Sequence, residues 1–367
     1  MERFLRDCGA NPGRSGHKLS IEAARRVYQA RESLARLVNQ PDPLAVLFTK
    51  NATEALNLAI FGSVVAGDHV VISSMEHNSV LRPVRHLQER GVSVTRVSCS
   101  ADGVLDVTEI KRALSPRTKL IILSHASNVI GSVCPVEEVG AMAERHGALF
   151  CVDAAQTAGA YPIDMQAMRI DLLAFTGHKA LYGPQGTGGL CIGERARGLI
   201  APLIHGGTGS ASDSDQQPDF LPDRYEAGTL NAVGLSGLAA GIAFVESTGV
   251  EQLRAHERAL TSQLISGLER IAGIRLYGAA NPEKQVAVVA FNLDGWNCAQ
   301  VASELEERGG ICCRVGLHCA PYAHQQLGTF PEGTVRFSFG AFNQPNEIDT
   351  ALSILKELAT RGPGGHS

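Results

Sequence analysis

Between residues 44 and 153 the chain repeats one pattern, a short apolar run followed by a helical stretch, and this restricts the fold more than anything else in the sequence. LAVLF (44–48), GDHVVISS (67–74), VSVTRVS (92–98), TKLIILSHAS (118–127) and ALFCVD (148–153) read as strands. Between them lie TKNATEALNLAIFG and the stretches near 80–90, 107–113 and 136–146, whose apolar residues recur at helical spacing. Strands alternating with helices of this length form a mostly parallel α/β sheet covered on both faces. Ligands of such sheets bind outside the carboxyl ends of the strands. The chemically interesting residues fall there: Thr49 and Thr53, Glu76 and His77, Ser127 and Asn128, Asp153 and Gln156, then His178 and Lys179.

The last of these stands in FTGHKALYGPQGTGG (175–189), entered from an LLAF run that reads as a short buried strand. The glycines would let backbone approach a ligand, and Thr176 and His178 can bond an anion. A lysine crowded by such a site loses solvation, and its pKa falls toward the range where the free amine is a nucleophile. Schiff-base formation with an aldehyde cofactor needs such an amine. An ordinary surface lysine in a Gly-rich turn is the competing reading of these residues alone. At 49–53 the strand turns directly into a helix, where free N–H groups and the helix dipole favour a phosphate. Plain N-capping by Asn51 or Thr53 explains the same residues.

The rest of the chain frames this core. A helix is expected over 19–38, ended by Pro41 and Pro43, while the first ten residues are too short for a strand plus its turn. The polar, Pro/Gly-rich stretch 207–223 reads as a long loop, a lid or a subunit contact, and 224–234 as the opening of an Ala/Gly-rich helical run. A long helix over 251–271 starts a smaller unit with strands at 285–293 and 334–340 and helices at 298–309 and 348–360. The expected division is a large domain over 11–245, a small C-terminal α/β domain over 246–360 and a flexible tail over 361–367. A length of 367 residues suits about two domains. With 19% charged residues, a net charge of -4 and no basic block, neither nucleic acid nor a membrane surface is an expected partner. No apolar run is long enough to span a bilayer and the first residues do not form a signal peptide, so the cytoplasm is the default location. Nine scattered cysteines without a CxxC pair argue against a disulfide framework and against a metal site.

Read together, TKNATEALN, MEHNSV, SHASNVIG, VDAAQTAG, TGHKALYGPQGTG, YEAGTLN and RVGLHCAP resemble the class V aminotransferase group of pyridoxal-phosphate enzymes, most closely the cysteine desulfurase and selenocysteine lyase family. The resemblance runs in the family's order from Asn11 onward. It implies the fold type I of pyridoxal-phosphate-dependent transferases, with pyridoxal 5'-phosphate as cofactor. It also implies a role for each matching residue. Lys179 would carry the cofactor and move the substrate's α-proton, and Asp153 would keep the pyridine nitrogen protonated, making the ring an electron sink. Gln156 would bond the phenolic oxygen with Asn128 nearby, and His77 would stack on the ring. Ala52, Thr53, Thr176 and His178 would form the phosphate cup, completed by Gly228 and Thr229 of a second subunit, which implies a homodimer with shared active sites. Arg336 would clamp the substrate carboxylate, with Asn128 and Arg314 on the same side.

Which reaction follows depends on RVGLHCAPYAH (314–324), read as a loop. Next to His318 and near Arg314, Cys319 has neighbours that can favour a thiolate. In the family branch with an RxGxHCA loop the matching cysteine takes sulfur from bound L-cysteine as a persulfide, alanine being the other product, and an acceptor protein or a reductant then removes the sulfur. Cys312 and Cys313 read as strand or core thiols. Selenocysteine lyase, cysteine lyase and transaminase chemistry are the related alternatives. A cofactor-binding sulfur-transfer scaffold without turnover is the alternative from another class. Members usually open with a strand and a DNAAT-like turn that lines the substrate pocket. Only ten residues precede Asn11 here, so that part of the pocket is expected to be missing.

Overall fold

The computed structural model describes residues 1–13, 15–278 and 281–362. Arg14 and residues 363–367 of the expected tail lie outside the described residues.

Two helices lead in, α1 (Glu2–Cys8) and α2 (Lys18–Leu37). Strands and helices then alternate: β1 (Val46–Thr49), α3 (Ala52–Ser63), β2 (His69–Ser73), α4 (Asn78–Gln88), β3 (Ser93–Val97), α5 (Val107–Ala113), β4 (Thr118–Ser124), α6 (Val136–His146) and β5 (Leu149–Asp153). Two more strands, β6 (Leu172–Thr176) and β7 (Gly188–Ile192), complete a seven-stranded sheet of order β1-β7-β6-β5-β4-β2-β3. β7 alone runs against its neighbours, being antiparallel to both β1 and β6. The sheet is thus mostly parallel, as the alternating pattern requires.

Side chains of period two divide this sheet between two cores. From β4, Ile121 and Leu123 pack with Leu34 of α2 and Val139 of α6, while Leu120 and Ile122 pack with Leu56 of α3 and Val84 of α4. Both faces are therefore dry, and the helix starts are set by short polar caps. Asn51 accepts from the Glu54 N–H at the head of α3, and Asp106 from the Thr108 N–H at the head of α5.

After α7 (Ala232–Thr248) and α8 (Val250–Leu268) comes a second sheet, all antiparallel, of order β10-β11-β9-β8. It is built from β8 (Ile274–Tyr277), β9 (Val288–Leu293), β10 (Arg314–Gly316) and β11 (Thr334–Ser338). The helices α8, α9 (Cys298–Gly309) and α11 (Pro345–Arg361) share a core with Phe291 and Val335 of this sheet, and a short α10 (Pro321–Gln326) follows β10. Among the described residues no single helix is long and apolar enough to cross a membrane.

Several elements differ from the sequence reading. Residues 44–45 belong to a 3₁₀ turn begun by Pro43 and capped by Asp42, so β1 starts only at Val46. The first ten residues form a helix whose Phe4 and Cys8 are buried among residues of α2 and α7. Residues 224–231 are not helical, because α7 begins at Ala232 with Asn231 as its cap. β7, β8, β10 and α10 were not legible, each being six residues or fewer.

The segment before α7 is held by a buried ion pair. Arg31 of α2 donates to both carboxylate oxygens of Glu226, at 2.9 Å to Oε1, and also to the Val46 carbonyl. Glu226 Oε1 in turn accepts the Phe48 N–H at 2.5 Å. With both side chains about 95% buried, removing either partner strands a charge in the core. Glu226→Gln is expected to lower the unfolding free energy by roughly 3 kcal/mol, read by urea denaturation, while an exposed pair such as Arg6–Glu2 changes it by less than about 1 kcal/mol.

Candidate functional site

The carboxyl ends of β1, β2, β4, β5 and β6 open into two adjoining cavities, of about 240 and 400 Å³, which share His77, Asn128, Gln156, Lys179 and Arg314. The smaller one is lined by hydroxyls and by the start of α3. Because Asn51 caps Glu54, the N–H groups of Ala52 and Thr53 donate to nothing among the described residues and point along the helix dipole. Thr53 Oγ1 lies 2.8 Å from Ser79 Oγ, and Thr176 Oγ1 lies 3.0 Å from His178 Nδ1. Asn51 therefore caps the helix, and the free N–H groups of Ala52 and Thr53 beside it are what an anion would meet.

Asp153 ends β5 at the floor of this cavity, buried, with Oδ1 accepting the Ala155 N–H at 2.9 Å. Lys179 follows β6. It stays open to water in the cleft, yet the walls remove enough solvent to hold its pKa below the usual lysine range. The Arg336 and Arg314 guanidiniums push in the same direction, and Asp153 opposes them.

His77 caps α4, its Nδ1 accepting the Ser79 N–H at 3.1 Å. A ring that accepts at Nδ1 is neutral with its proton on Nε2. Burial lowers the His77 pKa, which agrees with that state, and Lys179, Arg314 and Arg82 add to the effect against Asp153.

The larger cavity carries Arg314, Cys319 and Arg336. In the antiparallel register of β10 and β11, Arg314 stands opposite Arg336. Like charges paired across strands repel, and among the described residues neither forms a salt bridge. Arg336 donates to the Asn128 carbonyl at 2.7 Å, and its buried Nε has no hydrogen-bond partner among the described residues. Arg314 Nη2 lies 3.9 Å from Cys319 Sγ. This wall is built to receive an anion.

Cys319 is exposed and sits on a turn in which His318 and Cys319 both adopt left-handed backbone, φ 48° and 60°. That conformation costs roughly 1–2 kcal/mol per non-glycine residue, and here external bonds hold it. The His318 carbonyl accepts from Asn128 Nδ2 and the Cys319 carbonyl from the Asn78 N–H, each at 2.7 Å. Burial pushes the His318 pKa down to about 3, aided by Arg336, so this ring is neutral packing beneath the turn.

Three sequence expectations change. Among the glycines after Lys179, Gly188 and Gly189 serve strand packing. A Cβ at Gly188 would stand 2.6 Å from the Asn51 backbone and one at Gly189 2.2 Å from the Leu47 carbonyl, since β7 threads between β1 and β6. Gly228 and Thr229, which the sequence reading assigns to a second subunit's site, line neither Lys179 cavity of their own chain and face a cleft with Tyr28 and Arg31. Cys312 is exposed and Cys313 half-buried, both just ahead of β10, so only Cys313 packs on the core. Residues 314–324 contain β10 and α10, leaving only the turn between them as loop. Ser79 and Ser124, missed in the sequence, line the smaller cavity. Ser79, two residues after His77 at a helix head, was the readable signal.

Chemically the smaller cavity suits a ligand with an anionic group at the α3 end and a basic ring nitrogen at Asp153. An electrophilic carbon of that ligand would meet Lys179.

Comparison with known proteins gives the same grouping. The sequence model of the aminotransferase class-V family matches residues 1–351. A probable cysteine desulfurase of Methanothermobacter thermautotrophicus is 36% identical over 99% of this chain and 91% of its own length. One from Pyrococcus abyssi is 36% identical over 98% and 89%. Among solved structures, the apo cysteine desulfurase of Thermococcus onnurineus NA1 superposes with a TM-score of 0.92 at 33% identity, covering 98% of this chain and 90% of that one.

If Asn128 holds the Cys319 turn, Asn128→Ala will speed hydrogen exchange at the Asn78 and Ala320 amides by about tenfold, the worth of one hydrogen bond of roughly 1–1.5 kcal/mol. Unchanged protection in hydrogen-exchange mass spectrometry would show that the turn holds itself.

Proposed function

The chain belongs to the class-V aminotransferase family, and we propose that it acts there as a pyridoxal 5'-phosphate-dependent cysteine desulfurase, converting L-cysteine to L-alanine and leaving the sulfur on Cys319. The observation that carries this reading is a single cavity holding a lysine of lowered pKa, two arginines that form no salt bridge among the described residues and an exposed thiol.

The donor set fits the cofactor. Ala52, Thr53, Thr176 and His178 would take its phosphate, Asp153 its pyridine nitrogen, Gln156 and Asn128 its phenolic oxygen, with His77 against the ring and Lys179 at the aldehyde. When bound, the cofactor supplies a protonated ring that accepts the electron pair released at the substrate's α-carbon.

The remaining work belongs to side chains. Arg336 clamps the substrate carboxylate, its unpartnered Nε being one of two parallel donors, and Arg314 completes the positive wall. The lowered Lys179 pKa increases the share of neutral amine, the form that takes the α-proton and returns one to the product. Neutral His77, with its proton on Nε2, can donate a proton without first gaining one. Cys319 then attacks the substrate's sulfur. An S–S bond forms and the C–S bond breaks. The electron pair of that bond stays with the carbon skeleton, which takes up protons and leaves as alanine. Thiol plus cysteine gives persulfide plus alanine, so no outside oxidant is required.

Gly228 and Thr229 fit the same reading as contributions from a second subunit, completing the phosphate cup in a homodimer. What supports this is their distance from Lys179 in their own chain and the exposed Leu203 and Ile204 beside Thr229. The large domain would span 11–245 and the small one 246–360. Cytoplasmic location and delivery of the sulfur to an acceptor protein complete the proposal.

Exposing the cofactor-loaded protein briefly to L-cysteine without reductant should add one sulfur to the Cys319 peptide, with matching alanine, read by mass spectrometry and an amino-acid assay. Cys319→Ala should abolish the sulfur gain and Lys179→Ala both products. Arg336→Ala should raise KM by roughly 100-fold, the worth of a charged hydrogen-bonded pair. Full-rate sulfide release by Cys319→Ala, or turnover only with a keto acid, would sink the reading.

A further inference from the structure

Directly before His77 stands a carboxyl that the reaction does not use. Glu76 is fully buried and lines neither cavity. Its Oε1 accepts from Ser73 Oγ at 2.5 Å, while its Oε2 accepts from both the Ser124 N–H at 2.9 Å and Ser124 Oγ at 2.8 Å. Ser73 is the last residue of β2 and Ser124 the last of β4, and Ser124 is in register with Asp153 of β5. One side chain thus ties two strand ends together and stands one strand away from Asp153.

We propose that Glu76 is a positioning residue of the cofactor site: it locks the ends of β2 and β4, which fixes His77 and Asp153, and it places a second acidic group behind the carboxylate that meets the pyridine nitrogen. The proposal rests on the pyridoxal-phosphate reading above.

The surroundings of Glu76 give it this influence. The groups that interact with it electrostatically are Asp153 and the buried thiols of Cys99, Cys134 and Cys151, all three kept protonated by burial. Among the described residues it has no ion-pair partner. Burial raises its pKa to about 7, opposed by the Ser73 and Ser124 bonds and aided by Asp153. Its folded pKa lies above that of an ordinary carboxyl, so Glu76 is neutral below about 7 and charged above it. A negative charge there favours every protonated group nearby. Above neutrality it therefore helps the bound cofactor keep its protons.

The test is a pH titration of the visible absorption of the cofactor-loaded protein, wild type against Glu76→Gln. Gln keeps the shape and cannot become negative, so the midpoint at which the bound cofactor loses its proton should fall by about one unit. Cofactor retention in dialysis should weaken as well. Should Glu76→Gln not fold, Ser73→Ala removes one bond that favours the charged form, from a residue outside both cavities. It should move the midpoint in the same direction by a smaller amount. A wild-type protein that binds the cofactor and variants whose midpoint and retention match it would overturn the role of Glu76 alone. A wild-type protein with no visible band at excess pyridoxal phosphate would overturn the functional reading with it.

Discussion

A mostly parallel sheet buried on both faces leaves one place where chemistry can occur, the edge at which its strands end. In the seven-stranded sheet the side chains above and below are committed to two apolar cores, so a polar residue within a strand would lose its water without gaining a partner. On five strands a polar residue stands where the strand stops: Thr49, Ser73, Ser124, Asp153 and Thr176 are each the last residue of their strand. There the following helix supplies free N–H groups, and a charge can be only partly desolvated. The catalytic arrangement follows from this geometry of the sheet.

Within the cleft the charges do not balance. Lys179, Arg314 and Arg336 face it, against two carboxyls: Asp153, which opposes the shift of Lys179, and Glu257, whose pKa burial raises to about 7. Burial is the first cause that pushes Lys179 toward its neutral form, and the two guanidiniums add to it. The same excess is what a phosphate at one end and a carboxylate at the other would neutralise. Glu76 works against that excess from behind, with a negative charge that depends on pH.

The chemistry that depends on local sequence was legible, and what depends on pairing across distance was not. Lys179, His77, Asp153 and the head of α3 could be placed because strand, turn and helix signals lie within a few residues of each. The opposition of Arg314 and Arg336 is set by the register of β10 and β11, and a three-residue strand leaves no periodic trace. Gly188 and Gly189 were misread for the same reason. Their close neighbours are Leu47 and Asn51, more than a hundred residues earlier, so nothing nearby indicated that backbone and not ligand was the thing approached. The buried Arg31–Glu226 pair, which joins α2 to the segment before α7, was equally silent.

The position of Cys319 belongs to neither sheet alone. Its turn connects β10 of the second sheet to α10, but the bonds that hold its left-handed carbonyls come from Asn78 at the head of α4 and from Asn128 after β4. Arg336 of β11 bonds back to the Asn128 carbonyl, so the residue that grips the turn is itself gripped by the arginine facing the cavity. A carboxylate bound at Arg336 would act on the group that sets the thiol's backbone. On the proposed reading, substrate binding and thiol placement would share one hydrogen-bonded chain, Arg336 to Asn128 to His318. Its three links belong to segments that meet only when the two sheets are packed together.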